Sequence, residues 1–191
     1  MRELSMHILD MLENALEAGA TEVDLTIDED LQADRLTIVV RDNGRGMEAE
    51  ACRRALDPFF TTRTTRHVGL GLPLLAAAAR RCDGNLTLES VPGGGTTVST
   101  TFRHSHLDRA PLGNMTDTLL AFLLGSSTMQ RPGSSVPAVE TNLRYRHRAN
   151  GKAFELDTAA IRAELGGIPL SYPPVCAWLR EFIAEGEAEL A

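Results

Sequence analysis

A chain of 191 residues with 43% hydrophobic content holds enough apolar material for one domain with an annex, or for two small domains. Its formal charge of −7, without a basic run, argues against nucleic acid or an anionic membrane surface as the main partner. The three cysteines, Cys52, Cys82 and Cys176, stand far apart with no C-x-x-C pair, no apolar run reaches the length of a membrane span, and the N-terminus lacks a signal segment; the expected setting is a reducing cytoplasm.

Residues 3–18 carry Leu4, Ile8, Met11, Leu12, Ala15 and Leu16 at three-and-four spacing, which predicts an amphipathic helix. Glu3, His7, Asp10, Asn14 and Glu17 fall on a separate narrow stripe. A solvated face is the commoner reason for such a stripe. Asp10 and Asn14, one turn apart, also suit a site: an asparagine carbonyl is an oxygen ligand for a hard cation, and a nearby carboxylate can orient a nucleophile. Gly19 ends the helix, and residues 22–27 alternate as a half-buried strand with Val23, Leu25 and Ile27 facing in.

The β-rich run 36–40 leads into Arg41-Asp-Asn-Gly-Arg-Gly46. Asp42 is therefore expected at the end of a buried strand, its carboxylate pointing into a cavity as an acceptor, while Gly44 and Gly46 let a flat ligand approach the backbone. Taken alone, this pattern also fits an ordinary strand-exit turn. After a short helix over 48–56, the stretch from Asp57 to Arg66 has no periodicity and reads as a mobile lid holding Thr61, Thr62, Arg63 and Arg66. It runs into Gly69-Leu70-Gly71-Leu72-Pro73 and a helix over 74–82. A glycine-rich turn feeding a helix N-terminus fits an anion site, with Arg63 or Arg66 able to bind phosphate through two parallel hydrogen bonds, although taken alone it also fits a merely flexible stretch of chain.

Residues 85–91 and 96–102, joined by Pro-Gly-Gly-Gly, form a hairpin. Beyond it come an apolar helix over 115–124, a Ser/Pro/Gly-rich loop over 125–137 expected to be mobile, and a second hairpin, 141–148 and 152–156, turning at Asn150-Gly151. Asp157 caps a helix over 158–165 that Gly166-Gly167 stops, and a last amphipathic helix spans 174–189. The basic face Arg144, Arg146 and Arg148 reads first as a solvated strand face and second as a site for an acidic partner. His104 and His106 at a strand exit lack the neighbours that would complete a metal set.

In order, Glu13-Asn-Ala, Asp42-x-Gly44-x-Gly46, Pro58-Phe-Phe-Thr-Thr62, Gly69-x-Gly71-Leu72 and Gly95-Thr96 resemble the boxes of the GHKL ATP-binding domains. This is the Bergerat fold of histidine-kinase catalytic domains, anti-sigma-factor kinases, type II topoisomerases, Hsp90 and mismatch-repair ATPases, and the resemblance covers about residues 3–103. It implies that Asn14 coordinates Mg²⁺, that Asp42 accepts a hydrogen bond from the adenine amino group, that Gly46 lies against the base, and that Thr96 helps hold the adenine end. Thr61, Thr62, Gly69, Leu70, Gly71 and Leu72 are expected to complete the nucleotide site. Asp10 stands where hydrolytic members and anti-sigma kinases carry glutamate, and Arg63 where many histidine kinases carry lysine, keeping the charge as a planar fork. Only six residues precede His7, so the phosphoacceptor hairpin of a full histidine kinase is not expected, and His7 reads as a stripe residue and not as an acceptor.

The fold expected is α/β, a two-layer α+β sandwich in which a mixed, mainly antiparallel sheet is covered on one face by helices. It occupies residues 1–103, and residues 104–191 follow as a small α+β module. That arrangement is similar to small stand-alone ATP-binding proteins of bacteria encoded beside iron hydrogenases and other redox proteins. The function expected is Mg²⁺-dependent ATP binding by a stand-alone ATPase or by a protein kinase acting on a redox or signalling partner, with Asp10, Arg63 and Arg66 as catalytic groups. A nucleotide-gated binding module is the alternative.

Overall fold

Alternation of apolar and polar residues along the strands builds one twisted sheet with a greasy face and a wet face. The computed structural model describes residues 3–57, 71–128 and 141–190, with backbone alone at 126–128. Its strands are β1 (Glu22–Asp30), β2 (Arg35–Asp42), β3 (Leu86–Val91), β4 (Gly95–Arg103), β5 (Asn142–Ala149) and β6 (Lys152–Asp157), ordered β3-β4-β2-β1-β5-β6 in a six-stranded sheet. All neighbours pair antiparallel except β1 and β5, which run parallel. The mixed, mainly antiparallel sheet expected from the sequence is therefore present.

Val23, Leu25 and Ile27 of β1, Leu36, Ile38 and Val40 of β2, Val98 and Phe102 of β4 and Leu143 and Tyr145 of β5 all point to the same side and are buried there. The helices that bury them are α1 (Leu4–Glu17), α3 (Gly71–Arg81), α4 (Met115–Thr128) and α6 (Pro173–Leu190), with α1 touching both α3 and α4, and α4 touching α6. α4 buries Met115, Leu119, Leu120, Phe122 and Leu123, residues on more than one face, because α1 and α6 both pack on it. The short helix α2 (Ala49–Arg54) packs beside β3, and α5 (Thr158–Leu165) beside β5. No helix among the described residues is long and apolar enough to cross a membrane.

Several elements run further than their sequence signals. β1 continues to Asp30, β2 reaches Asp42 itself, and α3 begins at Gly71 with Pro73 buried in its first turn. The helix expected over 115–124 extends to Thr128, so the loop expected at 125 starts later, and 129–140 lies outside the described residues. The second hairpin turns at Asn150 and Gly151, both at positive φ as an Asn-Gly turn requires, and Asp157 caps α5 through the Ala159 N–H at 2.9 Å.

The elements after residue 104 share their sheet and core with those before it. β5 lies against β1 along its whole length, from Glu22 opposite Asn142 to Glu29 opposite Ala149. The first N–H groups of α1 lack a side-chain cap and donate instead to the carbonyls of Pro111 and Leu112, at 3.0 and 2.7 Å. On the open face Arg144 pairs with Asp24 at 2.8 Å, Arg146 with Glu155 at 2.8 Å and Arg148 with Asp28 at 2.8 Å. These arginines are a solvated strand face balanced by the neighbouring strands, and such exposed pairs add little stability.

At the Glu29 end of the sheet a polar chain replaces apolar packing. His104 Nε2 lies 2.6 Å from Glu29, His147 bridges Glu29 at 3.1 Å and Glu187 at 3.0 Å, and the Tyr145 hydroxyl donates to Glu187 at 2.8 Å. Burial works against the His147 charge, but its hydrogen bonds to Glu187 and Glu29 outweigh this and hold its pKa up at about 9. The same bond from His147 is the largest influence drawing Glu29 down to about 2.

These shifts set a pH window. The Glu29 contribution is present above the ordinary glutamate value of 4.5 and is lost as pH falls toward 2, whereas the His147 contribution is present below 6.5 and is lost as pH rises through 9. The contribution of this chain to the unfolding free energy should therefore be level between about pH 4.5 and 6.5, then fall by on the order of 3 kcal/mol toward pH 9. Denaturant titrations across this range read the effect, and Glu187→Gln should flatten the alkaline limb.

Candidate functional site

Asp42 is the last residue of β2 and follows Leu36, Ile38 and Val40 on the inward face, at the point where the core stops. Its carboxylate is half-buried. Oδ1 accepts the Gly44 N–H at 2.8 Å, and the Thr96 amide also donates to the carboxylate. Desolvation by burial is the dominant influence and raises its pKa against the pull of those two amides, so the ionised group is held at a net cost to the fold. Thr96, the second residue of β4, is the register partner of Asp42 and faces the same way.

The backbone crowds this carboxylate. Gly46 has φ +65°, and a Cβ there would run into the Val91 carbonyl; at Gly95, φ +84°, it would run into the carbonyl of Asp42. Only glycine fits either place, on grounds of both conformation and space. The loop between them is tied in several directions. Arg45 N–H donates to Ala18 O at 2.9 Å, and Gly93 N–H donates to Arg45 O at 2.7 Å.

Two residues the sequence did not single out hold the loop. Asn43 Oδ1 accepts the amides of Thr21 and Glu22 at 2.9 and 3.0 Å, while its Nδ2 donates to the Thr21 hydroxyl at 2.9 Å. Ser90 accepts the Met47 N–H at 2.9 Å, lies 3.0 Å from the Gly95 carbonyl and is 2.9 Å from the Thr96 hydroxyl. Ser90 had a faint sequence signal, since its parity with Leu86 and Leu88 places a hydroxyl at an inward strand position. Asn43 had none.

The remaining described residues of the expected site lie on α1 and α3. Asp10 and Asn14 are half-buried, one turn apart on α1, and His7 is 5% exposed. The stripe is thus turned from solvent through most of its length, and only Glu17 is open to it. His7 Nδ1 has no hydrogen-bond partner among the described residues, and burial lowers the pKa of the imidazole. Asp10 lies against the first residue of α3: a Cβ on Gly71 would be 3.3 Å from Asp10 Oδ2. An acidic side chain here meets the positive end of an 11-residue helix. Leu72 is partly buried and packs on the core. Thr61, Thr62, Arg63, Arg66, Gly69, Leu70 and the Pro58-Phe-Phe-Thr-Thr box lie outside the described residues. Two hollows among those residues, of about 320 and 310 Å³, are at the opposite end of the sheet, one beside Asp34 and Arg103 and one at Glu29 and His147.

A mixed sheet layered with helices on one face, carrying a half-buried acceptor between glycines at the sheet end, defines an ATP-binding α/β domain of the kinase-like ATPase class. Residues 2–106 match the model of the histidine kinase-, DNA gyrase B- and HSP90-like ATPases, and the chain belongs to that family. It is 44% identical over 92 residues to the sensor protein kinase FleS of Pseudomonas aeruginosa, a match covering 48% of this chain and 23% of that protein. It is 31% identical over 93 residues to sporulation kinase C of Bacillus subtilis, covering 49% and 22%. With the non-motile and phage-resistance protein of Caulobacter vibrioides it shares 33% identity over 117 residues, 56% of this chain and 14% of that one. The matches thus span less than a quarter of these relatives. Among solved structures, the N-terminal domain of a DNA repair protein shares the fold, with a TM-score of 0.50 and 14% identity over 82% of this chain and 53% of that one.

The raised pKa of Asp42 yields a stability prediction. Because the folded state favours the protonated acid, stability falls as pH rises from the ordinary aspartate value of 3.8 through the raised one, and at neutral pH the ionised group destabilises the empty protein. Asp42→Asn should therefore melt no lower than the wild type at pH 7 by calorimetry without ligand. Gly46→Ala, strained at positive φ and blocked by the Val91 carbonyl, should lose at least about 1–3 kcal/mol in the same assay.

Proposed function

We propose that this chain binds Mg²⁺·ATP between the Asp42 end of the sheet and the α1–α3 junction, and transfers the γ-phosphoryl group to water or to a hydroxyl of a redox or signalling protein. The observation that carries the reading is the meeting of Asp10 with the start of α3, one helical turn from Asn14. In this reading a carboxylate, an amide oxygen and a positive helix end serve the phosphates while Asp42 serves the base. The relatives' own names, sensor protein kinase and sporulation kinase, point the same way.

Each residue has a role in this scheme. Asp42 accepts from the adenine amino group, with Thr96 beside it and the Gly44 and Gly46 backbone against the base. The half-buried Asn14 carbonyl and Asp10 carboxylate are hard oxygen donors and fit Mg²⁺, with Asn14 as the ligand. When bound, the cation neutralises phosphate charge. Asp10 orients the attacking hydroxyl and takes its proton. Gly71 and Leu72, with Thr61, Thr62, Gly69 and Leu70, surround the phosphates. Arg63 and Arg66 steady the charge that builds on the γ-phosphate.

Three substitutions separate these roles. Asp42→Asn should abolish ATP binding in calorimetric titration while the fold persists, since an amide cannot serve as a pure acceptor. Asn14→Ala should weaken Mg²⁺·ATP binding much more than metal-free ADP binding; equal losses would make Asn14 structural. Asp10→Asn should keep nucleotide affinity and lose about 10²–10⁴-fold in turnover measured by phosphate release or phosphoprotein formation. Full turnover in that variant would remove Asp10 as the base, and no turnover in the wild type would leave a nucleotide-gated binding module.

A further inference from the structure

The Ser90 hydroxyl has three polar neighbours at bonding distance: the Met47 N–H at 2.9 Å, the Gly95 carbonyl at 3.0 Å and the Thr96 Oγ1 at 2.9 Å. A serine hydroxyl carries one proton and two acceptor lone pairs, so all three contacts can be made at once in a single way. Ser90 donates to Gly95 and accepts from both Met47 and Thr96. Turning its proton toward Thr96 instead would forfeit the bond to Gly95. The one proton of Thr96 is therefore committed to Ser90, and the Thr96 oxygen keeps only acceptor capacity.

Thr96 is the register partner of Asp42 on the inward face, and its own amide donates to the Asp42 carboxylate. A base resting against Asp42 consequently meets two acceptors, a carboxylate and a hydroxyl whose proton is engaged elsewhere. We propose that Ser90 is a positioning residue for base selectivity: by taking the Thr96 proton it presents a second acceptor beside Asp42, so that the cleft takes a 6-amino purine and rejects a 6-oxo purine. This rests on Asp42 being the adenine acceptor. An exocyclic amino group brings two N–H donors, which two acceptors can satisfy directly or across one water. A 6-oxo group brings lone pairs to the same place. Asp42 repels those lone pairs by itself, but a free threonine hydroxyl would turn its proton to them, and Ser90 removes that option.

The test is calorimetric titration of wild type, Ser90→Ala, Thr96→Val and the double variant with ATP and with inosine triphosphate, in the presence of Mg²⁺. Wild type should prefer ATP. Ser90→Ala should lower the ATP-to-inosine-triphosphate affinity ratio about tenfold, largely through tighter binding of the oxo nucleotide, and Ser90→Thr should restore it. In the Thr96→Val background Ser90→Ala should leave the ratio unmoved, because the hydroxyl it acts through is gone. A purely structural Ser90 would weaken both nucleotides equally, and an unchanged ratio overturns the proposal. Wild type that fails to separate the two nucleotides would sink the Asp42 assignment and this proposal together; wild type that separates them while Ser90→Ala does the same sinks only the second. Should Ser90→Ala not fold, Ser90→Cys keeps the volume with a weak thiol and should shift the ratio the same way.

Discussion

The end of β2 and the start of β4 approach each other so closely that side chains are excluded from the backbone around Asp42. Gly95 packs on the Asp42 carbonyl and Gly46 on that of Val91, so the carboxylate is carried by main chain fixed on two sides, not by a loop free to move it. The β-ladder, with Asp42 opposite Thr96 in register, makes this packing reproducible. In the proposed scheme this desolvated acceptor takes a ligand donor, because a hydrogen bond there replaces water that the fold has already removed.

The same constraint organises the rest of the cleft. Ser90 and Asn43 pin the loop to β3–β4 and to the α1–β1 turn, and Arg45 Nη1 donates to the Glu17 carbonyl of α1 at 3.0 Å. α1 in turn carries Asp10 and Asn14 and meets α3 at Gly71. A displacement of α1 would thus be felt both at the Asp42 loop and at Gly71. That helix is fixed at its N-terminus by the carbonyls of Pro111 and Leu112, which belong to the stretch after the family match. The later part of the chain therefore supports the helix that carries Asp10 and Asn14.

The second contribution of that stretch is the parallel pairing of β5 with β1. It extends the sheet on the side away from β4 and gives α4 and α6 something to cover, and Tyr145, Phe154, Leu179 and Ile183 join the core that Leu25 and Ile27 begin. Where the apolar layer ends, His147 is fixed between Glu29 and Glu187, tying α6 to two strands. A buried charge chain of this kind is specific more than it is strong: each member is tolerable only with its partners in place.

Much of this was legible in the order of the residues. Apolar spacing located the helices and strands, Asn150-Gly151 and Asp157 marked their turn and cap, and the succession Glu13-Asn14-Ala15, Asp42-x-Gly44-x-Gly46 and Gly95-Thr96 named the family, because period, turn chemistry and motif order are local properties of a chain. The extents of β1, α3 and α4 were not, since the last residues of an element are decided by what packs on them. Nor was the union of the two stretches into one sheet: a strand after residue 141 carries no mark of whether it will lie beside β1 or stand apart. His7, read as one polar residue of a stripe, turned out to be buried, although Asp10 and Asn14 on the same stripe are half-buried and Glu17 is exposed. Ser90 gained its bond from Met47, and His147 its two carboxylates, from residues distant in sequence. Local pattern sets what a segment can become; only the register and packing of the folded chain decide which polar atoms meet, because those distances depend on every element between them.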